Sequence, residues 1–273
     1  ERIIAPGFVD LHVHFPQTNV IGSPAEGLLP WLENYTFPEE GRFSDGAYAE
    51  EAATFFVDEL IRNGVTTALT FATSHPGSVD ALNACAHEHC LRMISGMVLM
   101  DRNALDFLLN QPKGTVGAAE LSLRDTEALI SNWYGKGRIG YAITPRFAPT
   151  SSDAQLRGAG ELALQYPDVW LQSHVSENKD EISWVRELFP SATSYLGVYD
   201  HYGLLRRKAD VALALHDHHA ILLHDPPLGA AVRLRCTDPD DQVFIDLALA
   251  QRPASLLTHD RALLKLARRA RIH

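Results

Sequence analysis

The stretch Gly7-Phe8-Val9-Asp10-Leu11-His12-Val13-His14-Phe15 alternates apolar and polar residues from Val9 to Phe15. A period of two marks a strand, with Val9, Leu11, Val13 and Phe15 on one face and Asp10, His12 and His14 on the other. The two imidazoles leave one face at the strand's C-terminal end, close enough to share a metal ion. Taken alone, such a pair is more often the wet side of a half-exposed antiparallel strand. The chain that follows shifts the balance.

Working outward, a helical stretch from about Tyr48 to Arg62 places Ala53, Phe56, Val57, Leu60 and Ile61 on one stripe, and Asn63-Gly64 supplies its stop. Val65 to Thr73 reads as a strand. The cycle then repeats: a helix around Val79 to His89, a strand Met93 to Met100, a helix Leu123 to Tyr134, a strand Ile139 to Thr144, and a strand Val169 to Val175. A further helix is opened by Asn178 with Glu181 three residues on, the pattern of a capping box. About five βα units predict an α/β fold, a partial TIM-type (β/α) barrel of the metal-dependent hydrolase kind, with its chemistry at the C-terminal strand ends. A polar row inside such a barrel needs a ligand to satisfy it, which favours the metal reading of His12 and His14.

The chain has 273 residues, 46% of them hydrophobic, enough for one large core or two smaller ones. No apolar run approaches the roughly 18 residues of a membrane span, and the N-terminus lacks the basic-then-apolar order of a signal peptide, so a cytoplasmic protein with no membrane partner is expected. Cys85, Cys90 and Cys236 are too few for a disulfide framework. Residue 1 is Glu, and Ile3, Ile4 and Pro6 already lead into the strand, so the start reads as an internal cut. The formal charge of -10 is uneven: residues 1–204 carry 13 Lys+Arg against 26 Asp+Glu, and residues 205–273 carry 11 against 8. Of all the Phe, Trp and Tyr, only Phe244 lies in that tail. The boundary is therefore expected at Leu204, with 1–204 an incomplete barrel and 205–273 a separate segment.

Several residues on the catalytic rim carry chemistry. His174 closes a short apolar strand and can join His12 and His14, and Glu177, three residues on, is placed to move protons beside a metal. The bland alternatives are a hydrogen-bonded core histidine and a helix N-terminal carboxylate. Arg146 and Phe147 follow a strand directly after Pro145, and a guanidinium with a ring suits a flat, carbonyl-bearing heterocycle. The Gln17 amide either meets a purine edge or caps a loop. Cys85, His87, His89 and Cys90 crowd one helix, but only Cys85 and His89 share a face, which makes a poor metal site and a structural cluster.

The segments PGFVDLHVHFPQ (6–17), LLPWLENYTFPEE (28–40), TTALTFATSHP (66–76), YAITPRFAPTS (141–151) and LQSHVSENKDEI (171–182) resemble, in this order, the signatures of the guanine deaminase family of the amidohydrolase superfamily. The resemblance covers residues 3–204. It implies zinc held by His12, His14 and His174, proton transfer by Glu177, and guanine held by Gln17, Arg146 and Phe147 with Trp31 nearby. It further implies hydrolytic deamination of guanine to xanthine and ammonia, a step of purine catabolism. The cytidine-type PCxxC signature is absent. The family's later zinc-binding His and its metal-binding, proton-accepting Asp have no counterpart after Leu204, and its small β-rich flanking domain has none either.

The tail resembles the C-terminal half of a PIN-type nuclease domain, through TDPDDQVFIDLALA (237–250) and ASLLTHDRALL (254–264). That resemblance implies Mg²⁺ or Mn²⁺ at Asp241 and Asp260, beside Asp238 and Asp240, with RNA as partner if the tail is active. The bland reading of Asp238 to Asp241 is a helix N-terminus. A rival reading takes Ala220–His224 and Leu256–Asp260 as missing barrel strands, with His224 and Asp260 completing the metal site. Three alternatives stand: a zinc deaminase, a metal-dependent ribonuclease remnant, and a non-functional fusion. An open barrel edge also points to homo-oligomers.

Overall fold

A computed structural model of the chain describes residues 7–205. The readings of the tail, including Asp238, Asp240, Asp241, Asp260, His224 and the PIN-like segment, lie outside the described residues.

Strand β1 (Phe8–His14) leads into a 3₁₀ turn (Phe15–Val20) and an irregular helical insert: α1 (Leu28–Trp31), a π turn (Leu32–Thr36) and α2 (Phe37–Arg42). Helix α3 (Gly46–Arg62) begins where Asp45 accepts the Ala47 and Tyr48 amides. It buries Ala49, Ala53, Phe56, Val57 and Leu60, a spacing that keeps them on one stripe. Ile61, expected on that stripe, is 43% exposed, because it falls one position past the buried face. Gly64 at φ +81° closes the turn, a conformation open to glycine. β2 (Val65–Phe71) and α4 (Pro76–Glu88) follow, with Pro76 at the helix start.

The single strand expected from Met93 to Met100 is two, β3 (Arg92–Gly96) and β4 (Val98–Leu99). The break has a steric cause. A Cβ on Gly96 would sit 1.8 Å from the Ala142 carbonyl oxygen, so only glycine admits this approach of neighbouring backbones. The Met97 amide instead donates to the Tyr141 hydroxyl at 3.1 Å, deep in the core. Then come α5 (Ala118–Trp133), β5 (Gly140–Pro145), α6 (Asp153–Gln165), β6 (Trp170–Leu171), α7 (Lys179–Leu188) and α8 (Tyr195–His201). Helix α7 opens with the expected capping box of Asn178 and Glu181.

All pairings are parallel, in the order β1-β2-β3-β5-β4, with β6 also on β5. Taking β3 and β4 as one interrupted strand, each new strand adds beyond the last, which is the arc of a parallel barrel. The main core lies between this arc and its helices, around Phe56, Met93, Leu129, Tyr141, Ile143 and Leu156. Because the strands run parallel, His14, Phe71, Arg146 and His174 all fall at or just past their C-terminal ends. No helix among the described residues is long and apolar enough to cross a membrane.

Candidate metal and substrate site

Two segments far apart in sequence converge at this end of the sheet. His12 and His14 come from β1 and His174 from the segment after β6. One ring nitrogen from each lies within 4.8 Å of the others, and the ring centroids stand 5.0 to 5.1 Å apart. His14 Nε2 and His174 Nε2 face each other at 3.0 Å. Among the described residues, no other group of His, Cys, Asp and Glu gathers in this way. The Cys85 sulfur and His89 Nδ1 are 3.8 Å apart on their shared helix face and find no third ligand, as their helical spacing predicts.

Each imidazole is set by its surroundings. The Arg146 backbone carbonyl lies 2.7 Å from His174 Nδ1. A carbonyl only accepts, so Nδ1 carries the proton and Nε2 offers its lone pair to the centre of the cluster. The Gln17 amide sits 3.0 Å from His14 Nδ1, on the opposite side of that ring from its Nε2. Against all three rings lies Phe71, 1% exposed, stacked on His14 at 4.7 Å, tilted against His174 at 4.2 Å and edge-on to His12 at 5.4 Å. The sequence reading missed this floor; its only trace is an aromatic residue two positions before the end of a predicted strand.

Burial, with Arg146 and the two other imidazoles adding like charge, depresses the His14 pKa to about 2. Burial also lowers His174 to about 4, opposed by its bond to the Arg146 carbonyl and assisted by the Arg146 charge and His12. Neutral imidazoles are the form that binds metal. Convergent nitrogens, a fixed His174 tautomer and the lowered pKa values of His14 and His174 together fit a divalent ion of the zinc type.

Glu177 stands at the cavity rim. Desolvation first and the Glu181 carboxylate second raise its pKa above the ordinary carboxylate value, while Arg146 opposes them. The chain reaches it through Ser176 at φ 59°, a left-handed conformation that a non-glycine residue adopts at a cost. What holds this turn is Glu181, whose Oε2 accepts the Glu177 and Asn178 amides at 3.0 and 3.1 Å, while its Oε1 accepts the Tyr195 hydroxyl at 2.5 Å. Tyr199, also buried, donates to the His174 carbonyl at 2.9 Å and accepts from the Ser173 hydroxyl at 2.7 Å.

A cavity of about 810 Å³ opens over these groups, lined by His12, His14, His174, Glu177, Gln17, Trp31, Arg146 and Phe147 among others. Every front-segment residue singled out in the sequence thus borders one space. Arg146 is held by a partner the sequence reading missed: Glu40, from α2, accepts from Nη1 at 2.5 Å and Nη2 at 2.9 Å. The pair is buried, with side chains 5% and 1% exposed. The Phe37 ring lies 5.2 Å from the guanidinium carbon. Three stretches of sequence, YTFPEE, TPRF and SHVSEN, therefore meet at Arg146, through its side chain on one hand and its carbonyl on the other. Glu39, beside Glu40, turns the other way and binds Asn19, Arg42 and Tyr48.

Residues 3–226 match the amidohydrolase family. The chain is 49% identical over 215 residues to the guanine deaminase of Escherichia coli (strain K12), a match covering 79% of this chain and 47% of that protein. It is 38% identical over 210 residues to human guanine deaminase, covering 76% and 45%. Among solved structures, guanine deaminase from C. acetobutylicum with bound guanine in the active site superposes with a TM-score of 0.69 at 37% identity, covering 74% of this chain and 47% of that one. The chain thus spans about half the length of the curated relatives it matches. The family match extends past Leu204 and takes in His224, while Asp241 and Asp260 fall beyond it. With its parallel arc and three convergent histidines, the chain belongs to the amidohydrolase family.

Proposed function

We propose that this site carries the chemistry of guanine deaminases, the hydrolytic conversion of guanine to xanthine and ammonia, with zinc at His12, His14 and His174. The observation that carries it is the meeting of three imidazoles, Glu177 and Arg146 around one cavity, in a chain close in sequence to guanine deaminases. When bound, zinc supplies the Lewis acidity that makes water a nucleophile at neutral pH.

The protein's own groups do the rest. The Glu177 carboxylate takes the proton that water loses on attacking the ring carbon bearing the amino group. It then returns that proton to the departing nitrogen, which leaves as ammonia, and a raised pKa suits a group that must both accept and give. Arg146 donates to the base, and Phe147, Trp31 and Gln17 bound the space around a flat ring. Phe147 is itself steadied edge-on by Trp184, with ring centroids 6.1 Å apart. The ribonuclease reading of the tail gains no support from the family match or from these relatives, and it is not proposed.

Ammonia release from guanine by the zinc-loaded full chain tests the reading. The expected result is turnover in the wild type and a loss of about 10²- to 10⁴-fold in Glu177→Gln, the usual worth of a general acid-base group. A zinc-loaded, folded wild type that releases no ammonia would overturn it.

A further inference from the structure

Among the described residues, the one arginine lining the cavity does not face it as a free cation. Two of the five N–H groups of Arg146 go to Glu40, one from each terminal nitrogen, which leaves three for other acceptors. Arg146 lines the cavity while Glu40 stands behind it, 0% exposed. Among the described residues, the remaining acidic or basic side chains on the cavity wall, histidines aside, are acids: Asp10, Glu59, Glu177 and Glu181. A bare guanidinium there would draw carboxylates and phosphates, because its fork matches those anions. Paired with a buried carboxylate, it keeps its donors and its fixed plane while its charge is countered from behind.

We infer that Glu40 is a positioning residue that sets specificity: by countering the charge of Arg146 and fixing its plane, it makes the arginine end of the cavity favour a neutral, carbonyl-bearing heterocycle over carboxylated or phosphorylated relatives. This rests on the reading of Arg146 as a substrate donor given above. A purely structural role, clamping α2 to the end of β5 across 106 residues of sequence, is also served by the ion pair. The two roles part in one respect. A clamp has no preference among ligands, whereas a charge-countering partner disfavours anions.

The test compares binding of guanine with binding of a 2-aminopurine that carries a carboxylate where guanine carries its ring oxygen. Calorimetry is done on the zinc-loaded full chain in a Glu177→Gln background, which keeps guanine from being turned over, with Glu40 unchanged (called the wild type below), Glu40→Gln and Glu40→Asp. The wild type should prefer guanine by at least about tenfold, since an interface charge without a free partner rejects its like. Glu40→Gln, which frees the guanidinium charge, should narrow that preference by about tenfold or more. Glu40→Asp, which keeps the charge, should restore most of it. Equal binding of both ligands by the wild type would overturn the inference with no variant needed, which covers the case in which Glu40→Gln fails to fold. A folded Glu40→Gln with wild-type preference would overturn it as well. Wild-type protein that binds neither ligand would instead overturn the substrate reading beneath it.

Discussion

The two ends of the strand arc deliver the same kind of side chain by different means. At one end, β1 carries His12 and His14 on a strand whose Phe8, Val9 and Leu11 are 67%, 59% and 71% exposed. At the other, His174 is 8% exposed, with its ring bonded to the Arg146 carbonyl and its own carbonyl to Tyr199. The first end is held along one edge by β2 alone among the described residues. The second is fixed by a buried ion pair, two tyrosines and a capping box. For the proposed ligand set, the β5–β6 end is the rigid partner while β1 supplies the reach.

The sharpest way to break this contrast is to damage the rigid end. Glu40→Ala leaves Arg146 buried without its carboxylate, and chemical denaturation should show a loss of about 3–5 kcal/mol. Tyr199→Phe removes one hydroxyl from two hydrogen bonds, and the same measurement should show a loss of about 1–3 kcal/mol. On the β1 side, Leu11→Thr changes an exposed position of an edge strand and should stay within about 0.5 kcal/mol of the wild type. A large loss there would show that β1 is packed in solution and that the contrast is wrong.

A pH profile sharpens the picture at Glu177. Its carboxyl must be ionised to accept a proton, and its pKa is raised, so guanine turnover should fall with acid along a limb lying above the ordinary carboxylate value of 4.5. Glu181→Gln removes a negative neighbour that helps to raise that pKa, so the limb should move to lower pH. A limb that moves up, or does not move, would break the link between the two acids.

Much of this was legible in the sequence. The period-two stretch at the front gave β1, and the helical stripe at Ala53, Phe56, Val57 and Leu60 gave α3, because both patterns come from burial on one face. Strand-terminal positions placed His14, Arg146 and His174 on one rim, since parallel strands share a C-terminal side. Other features were hidden for physical reasons. Val9 and Leu11 look like core residues, but what covers a strand is a matter of tertiary packing, which alternation cannot encode. Glu40 reads as an ordinary acid in an acidic turn, because its partner lies 106 residues away. The split at Gly96 depends on a backbone contact with Ala142, and the left-handed Ser176 depends on Glu181; neither leaves a local pattern. The irregular insert from Leu28 to Arg42, with a π turn in its middle, has no single helical period to find.

The central claim is that the rigid and the reaching ends hold one ion between them. The most direct measurement is the zinc content and zinc affinity of the purified full chain, as wild type and as His174→Ala. The predicted result is one zinc per chain in the wild type and a loss of at least about tenfold in affinity in a folded His174→Ala. Zinc absent from the folded wild type, or zinc held equally well without the His174 imidazole, would contradict it.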